Sequence, residues 1–315
     1  MSTVTKVTTV DWTMDLKKRR SAIVDFIVRL VKEKPLGTVG GIIVLIMFVT
    51  GVFADVLAPY GFNDIHLDDI FIRSSGQYWL GTDQLGRDIL SRVIYGARIS
   101  MIVGISVAFF SSVISALIGG VSGYVGGRFD LVMQRAVDAW MSFPGLVILL
   151  SVMSIIGPGL PQICIVLSFT YGISASRIIR SAVIAIKENL YVEAARAIGC
   201  SPARMFMRHI LPNIIPVLIV STTIRMAIVI ITEATLSFLG FGIPPPMPSW
   251  GGMLSGAGRQ YMMKAPWMAI WPGLALTISV YGINVFGDAA RDLVDPRMRG
   301  GGGRYGGAAK KTIKQ

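Results

Sequence analysis

Long uncharged apolar runs alternate along the chain with short polar punctuation, and this alternation predicts membrane-spanning helices. Residues 1–35 are polar and basic. Within them, Ile23, Val24, Phe26, Ile27, Val28, Leu30 and Val31 fall opposite Asp25, Arg29, Lys32 and Glu33, which suits a helix lying in a membrane interface. Leu36 to Ala54 carries no charge and is about long enough to cross a ~30 Å hydrocarbon core. After a polar segment, 58–98, a second uncharged stretch lies within Ile99 to Gly127. Arg128, Asp130, Arg135 and Asp138 mark a turn and the edge of a third span. Ala139 to Ser176 is too long for one crossing, and Gly157-Pro158-Gly159-Leu160-Pro161 divides it into a hairpin of spans three and four. The fourth continues past Arg177 and Arg180, which are expected at the surface or against another subunit. A fifth span runs from near Asn213 to near Gly240, and a sixth lies within Ala265 to Gly287. The expected architecture is all-α and polytopic: a tail with an interfacial helix (1–35), a six-helix transmembrane domain (36–290) and a basic tail (291–315), whose Gly- and Lys-rich end, 300–315, has the composition of a disordered segment.

The longest charged interruption in the second half is Tyr191 to Asn213, within a polar loop spanning 187–212. Tyr191, Ala194, Ala195 and Ile198 recur at i, i+3, i+4, i+7, so they line one helical face, and the two alanines keep it small. Gly199 suits the left-handed conformation that closes a helix. Ser201 followed by Pro202 reads as N-cap and first residue of the next helix. Leu211-Pro212-Asn213 is expected to end that second helix before the apolar run resumes.

Composition agrees with a membrane protein: 53% of the 315 residues are hydrophobic and 15% are charged, against roughly 25% charged in soluble domains. Cys164 and Cys200 give no disulfide framework and are expected to be free. The net charge of +12 does not indicate nucleic acid, because the basic residues sit at the edges of apolar runs rather than on one soluble module. Six spans place both termini on one side. Taking that side as cytoplasmic leaves only Arg73, Arg87, Arg92, Arg98, Arg259 and Lys264 outside, with Arg225 inside a span. The excess of basic residues on the terminal side therefore orients the chain, and it puts the loop containing Glu193 in the cytoplasm. The first long apolar run begins only at Leu36 and lacks an A-x-A site, so a signal peptide is not expected.

Glu193-Ala194-Ala195, then three residues and Gly199, then Leu211-Pro212 further on, resembles the EAA loop of ABC importer permeases; this chain has His209 where the family has Ile. Three further stretches agree, one of them Glu233 to Gly242 followed by Pro244 to Gly251 at the end of span five. Trp79-Leu80-Gly81-Thr82-Asp83-Gln84-Leu85-Gly86-Arg87-Asp88-Ile89-Leu90-Ser91-Arg92 is similar to the LGTDxLGRDxLSR signature of the C-type permeases in dipeptide, oligopeptide and nickel importers, with Tyr78 where those carry His. Gly287-Asp288-Ala289-Ala290-Arg291-Asp292-Leu293-Val294-Asp295-Pro296-Arg297 resembles that family's C-terminal motif. Taken locally, Thr82 or Asp83 is a candidate helix cap and Asp88 with Arg92 an i, i+4 pair. The proline-rich stretch Pro244 to Pro248, after Glu233 and Gly242, reads as a rigid outer loop.

The resemblance implies the type I ABC importer permease fold in the cytoplasmic (inner) membrane of a prokaryote. It further implies a B-type permease partner, two ATP-binding subunits, an external substrate-binding protein and a lipid bilayer around the complex. Glu193, Ala194, Ala195, Gly199, Leu211 and Pro212 would couple the pore to ATP hydrolysis. ATP and Mg would be bound by the partner ATPases, because this chain has no G-x4-G-K-[ST] phosphate loop and is not itself expected to be an enzyme. Peptides are the commonest cargo of the family; nickel chelates and oligosaccharides are alternatives.

Arg225 lies deep in span five, where a charge costs roughly 2.5–3.5 kcal/mol and must face protein or water. It reads either as half of an ion pair with another span or subunit, or as a charge on the translocation path. Glu233, about 12 Å further along the same helix, is too far to pair with it and is the second candidate for the path. A secondary transporter would call for internal repeats and several midplane charges, which the sequence does not display. An intramembrane hydrolase would call for a histidine in a span, and His66 and His209 both lie outside the apolar runs.

Overall fold

The computed structural model describes residues 22–294. The first part of the N-terminal tail, the tail from residue 295 on, and Asp295-Pro296-Arg297 of the C-terminal motif lie outside the described residues. Within them the chain is helical: α1 Ala22–Glu33, α2 Pro35–Val52, α3 Ala54–Leu57, α4 Ile89–Ser115, α5 Val121–Val125, α6 Gly127–Met141, α7 Gly145–Ile156, α8 Leu160–Lys187, α9 Leu190–Ala197, α10 Pro202–Met205, α11 Leu211–Phe238, α12 Trp250–Leu254, α13 Gly256–Gln260 and α14 Trp267–Val294. Five helical runs are long and apolar enough to cross a membrane: Pro35–Val52, Ile89–Val125, Leu160–Lys187, Pro202–Phe238 and Trp267–Leu293. Their large apolar side chains, such as Leu45, Phe109, Ile165 and Ile219, point outward, as lipid contact demands.

The sixth crossing is broken rather than continuous. α6 and α7 meet at an 84° bend over Ser142-Phe143-Pro144. Pro144 has no N–H to give to a helix running in from α6, and it pushes Phe143 out of the helical region. α7 is therefore only 12 residues long, about 18 Å at 1.5 Å per residue, and spans the core only together with part of α6. The hairpin into α8 turns where expected, at Gly157 with φ +90°. The interfacial helix also forms: α1 pairs Arg29 with Glu33 on its exposed side and sets Leu30 against Ala289 and Leu293 of α14.

α4 is the centre of the bundle. It packs α8 on one side, α11 on another and α2 on a third. Small residues let the backbones approach, as is usual between membrane helices. At Gly119, in a wide π-turn (Ala116–Gly120) that links α4 to α5, a β-carbon would sit 2.0 Å from the Ser176 carbonyl oxygen of α8. Ile99, Val103, Val107, Leu167 and Val229 fill the space among α4, α8 and α11.

Two expectations fail for local reasons. Pro212 does not end the second loop helix; Pro202–Phe238 is one continuous run of 37 residues. The chain takes a single π-turn at Phe206–Ile210, which widens the helix just where the Pro212 ring would strike the carbonyl four residues back. Neither Thr82 nor Asp83 caps a helix. Asp88 does, accepting from the Ser91 backbone N–H at 2.8 Å, and Arg92 turns instead to the Phe62 carbonyl at 2.9 Å and to Asp83 at 3.8 Å.

Candidate functional site

The loop after α8 is built as a projecting step. Lys187 ends α8 by donating from Nζ to the carbonyls of Gly123 and Tyr124, at 3.2 and 2.7 Å. α9 then runs across the end of the bundle. Val192 and Ala195 face inward onto Ile179, Val183, Met205, Ile210 and Ile214. This turns the other side of α9 outward, so Glu193 and Ala194 are exposed beside Leu190, Tyr191 and Ile198, the last 86% exposed. The expected single face of Tyr191, Ala194, Ala195 and Ile198 is thus split, with Ala195 buried and the other three solvent-facing. The reason is that Val192, a larger apolar side chain than alanine, takes the inward position and rotates the helix about its axis.

Gly199 closes α9 at φ +80° and stands in open space. The Cys200 N–H returns to the Ala195 carbonyl at 3.1 Å. Ser201 and Pro202 open the next helix as expected, although the Ser201 hydroxyl makes no capping bond. Leu211 packs on the cluster under α9, whereas Pro212 is exposed. The residues singled out for coupling therefore do not share one surface: Glu193 and Ala194 face outward, whereas Ala195 and Leu211 pack on the cluster beneath α9.

The sequence reading missed what braces this end of the molecule. Arg180 donates from Nε to Asp130 Oδ1 at 2.6 Å and from its second nitrogen to Oδ2; Arg177 pairs with Asp138. Arg177 is exposed at the surface, as expected, and Arg180 is half-buried; both also hold α6 to α8 within the chain. The spacing carried a trace of this, because Asp130 and Asp138 share one face of α6 and Arg177 and Arg180 share one face of α8.

The opposite end of the bundle is closed by the 58–88 segment. Asp83 accepts from the backbone N–H groups of Leu85 and Arg87, from Arg87 Nε at 2.7 Å, and pairs with Arg92 at 3.8 Å. The Trp267 indole donates to the Thr82 carbonyl at 3.1 Å, tying this segment to the start of α14. Beside it lies a cavity of about 500 Å³, lined by Asp83, Arg87, Pro158, Ser237, Pro244 and Ser249 among others. Glu233 is fully buried behind that cavity. It accepts from the Ser237 hydroxyl at 2.7 Å, and the same hydroxyl receives the Ile243 N–H at 3.3 Å. Glu233 thus braces the proline-rich loop from beneath.

Arg225 is separate from Glu233. It is 8% exposed, and its closest polar contact is with the Ser111 hydroxyl of α4, at 3.4 Å. No carboxylate among the described residues lies within ion-pair distance of it. Arg225 lines a groove of about 550 Å³ between α8 and α11, with Tyr171, Ile178, Val217, Ile224 and Arg291.

Comparison with known proteins bears on all of these features. A putative peptide transport system permease protein of Brucella suis is 39% identical over 81% of this chain and 87% of its own length. The oligopeptide transport system permease protein OppC of Bacillus subtilis is 35% identical over 90% of this chain and 92% of its own. The glutathione transport system permease protein GsiD of Escherichia coli is 35% identical over 86% and 90%. Among solved structures, an inward-facing MetNI methionine ABC transporter chain superposes with a TM-score of 0.53 at 20% identity, over 65% of this chain and 96% of that one. The fold is accordingly that of a type I ABC importer permease. Residues 115–300 match the family described as the binding-protein-dependent transport system inner membrane component, and the chain belongs to that family.

Proposed function

We propose that the chain is one of two pore-forming subunits of an ATP-driven peptide importer. The observation that carries the cargo is that relatives named for peptide, oligopeptide and glutathione transport align along at least 81% of the chain, across both ends of the bundle. The partners of this reading are a B-type permease, two ATP-binding subunits that hold ATP and Mg, and an external binding protein. Both termini face the cytoplasm, as the distribution of basic residues supports.

The projecting α9 supports a mechanical role. An exposed apolar stripe of Leu190, Tyr191 and Ile198 beside Glu193 suits a groove on a soluble partner, since large apolar side chains at a projecting helix mark an interaction surface. Glu193 and Ala194 make the contact. Ala195 and Leu211 seat α9 on the bundle, Gly199 fixes its end and Pro212 shapes the helix leaving it. Arg225 faces the translocation groove, and Glu233 secures the outer loop above it.

The test is purification of the tagged complex in mild detergent, followed by peptide uptake in liposomes. An ATPase and a second permease should co-purify, and uptake should require ATP. Glu193→Lys should insert normally yet lose the ATPase. Uptake driven by a proton or sodium gradient without ATP would overturn the proposal.

A further inference from the structure

We infer that Arg225 is a carboxylate-recognition residue on the translocation path, reading the C-terminal α-carboxylate of the peptide being moved. The inference rests on the peptide reading above and deepens it.

The argument starts from an imbalance. A buried guanidinium is normally compensated by a carboxylate, because an unpaired charge in a low-dielectric setting is costly. The other buried arginines among the described residues follow that rule: Arg87 and Arg92 share Asp83. Arg225 has only a long contact with the Ser111 hydroxyl, although it is 8% exposed and lies in the middle of a membrane helix. Its hydrogen-bonding capacity is therefore mostly unspent, and it faces an open groove rather than the packed interior.

The groove narrows the choice of ligand. Its wall is mostly apolar, from Ile178, Val217, Val220, Ile224 and Ile228. Polar atoms come from Tyr171, Ser221 and the two arginines, Arg225 and Arg291. The Tyr171 hydroxyl is engaged with Thr232 of α11 at 2.6 Å, which holds that ring in place and leaves the cations as the principal polar features. Among the described residues no acidic side chain lines the groove. Such a surface tolerates varied side chains and selects for a negative group.

Every linear peptide with a free C-terminus carries one α-carboxylate whatever its sequence, and a planar guanidinium matches its two oxygens. One fixed cation in a permissive apolar channel thus gives recognition of peptides that does not depend on their sequence. Arg291, on α14 and lining the same groove, offers a second cation to which the carboxylate can pass.

The experiment uses the full complex in liposomes with its binding protein. Uptake of one tripeptide is measured as the free acid and as the C-terminal amide, each per ATP hydrolysed, for the unaltered complex, Arg225→Gln and Arg225→Lys. Arg225→Gln should slow the free acid by about tenfold or more while leaving the amide nearly unchanged, and Arg225→Lys should keep most of the preference. The binding protein is common to all three, so its own preference cancels between them. The same ratio is read again on solubilised complex without binding protein, by displacing a radiolabelled peptide with free-acid and amide competitors. Equal loss for both peptides, as an ion pair with the second permease would give, overturns the inference, and so does no loss for either. Failure of the unaltered complex to move any peptide overturns the peptide reading itself, a result visible before any variant is compared.

Discussion

Arg180 of α8 grips both carboxylate oxygens of Asp130 on α6, while the Ser122 hydroxyl donates to the same carboxylate. α6 buries only Val137, so polar contacts hold it: this one, Arg177 with Asp138, and Gln134 donating to the Ser122 hydroxyl at 3.1 Å. Asp130→Asn keeps the size of the side chain and removes the charge. Amide exchange across 128–141 should then speed up by about tenfold or more, with the exchange of α4 and α8 unchanged, as read by mass spectrometry.

Gly199 isolates a backbone effect, because a β-carbon there would meet nothing within 4 Å. Any penalty for substitution comes from φ +80° alone, roughly 1–2 kcal/mol for most residues and less for asparagine. Gly199→Val should weaken ATPase retention on the purified complex by about tenfold, and Gly199→Asn should retain most of it. Equal behaviour of the two variants would assign the role to the missing side chain rather than to the turn.

The two faces of α9 should separate in the same assay. Ile198→Glu alters an exposed residue, so the chain should accumulate normally and lose most of its ATPase. Val192→Glu places a charge among Ile179, Val183 and Ile210, at a cost of several kcal/mol, so the chain itself should be lost from the membrane.

Much of this was legible in the sequence, and the failures share a cause. Uncharged runs located the five long crossings because membrane burial is imposed by the bilayer, not by neighbouring helices. Gly199 and Pro202 were placed correctly because their backbone preferences act locally. Pro212 was misjudged because the helix absorbs its ring with a π-turn one step earlier, an accommodation with no single-residue signature. Pro144 was overlooked because the apolar run continues across it unchanged. Arg177 and Arg180 found partners on α6 that only the tertiary fold brings near. Asp83 looked like a helix cap, and its carboxylate instead closes a turn around Arg87.

The outer segment has its own pH dependence. The Tyr78 hydroxyl donates to Asp69 Oδ2 at 2.7 Å, and burial, reinforced by that bond, pushes the phenol up to about 12. An unfolded tyrosine ionises near 10. The stabilisation is therefore complete below about pH 10 and is lost as the pH rises through about 12. Tyrosinate absorbance should show a late-ionising step coincident with loosening of 58–88, and Tyr78→Phe should remove that step.

The π-turn at Phe206–Ile210 keeps the helix continuous between the surface step and the membrane interior. From Pro202 to Phe238 the chain is one continuous helix of 37 residues with Pro216 inside it, about 55 Å along its axis at 1.5 Å per residue. A hinge at Pro212 would have absorbed a push on α9 as local bending. Without that break, one continuous helix links the step under α9, through Arg225, to Glu233 beneath the outer loop. Both membrane surfaces are thereby joined by continuous helix rather than by a loop.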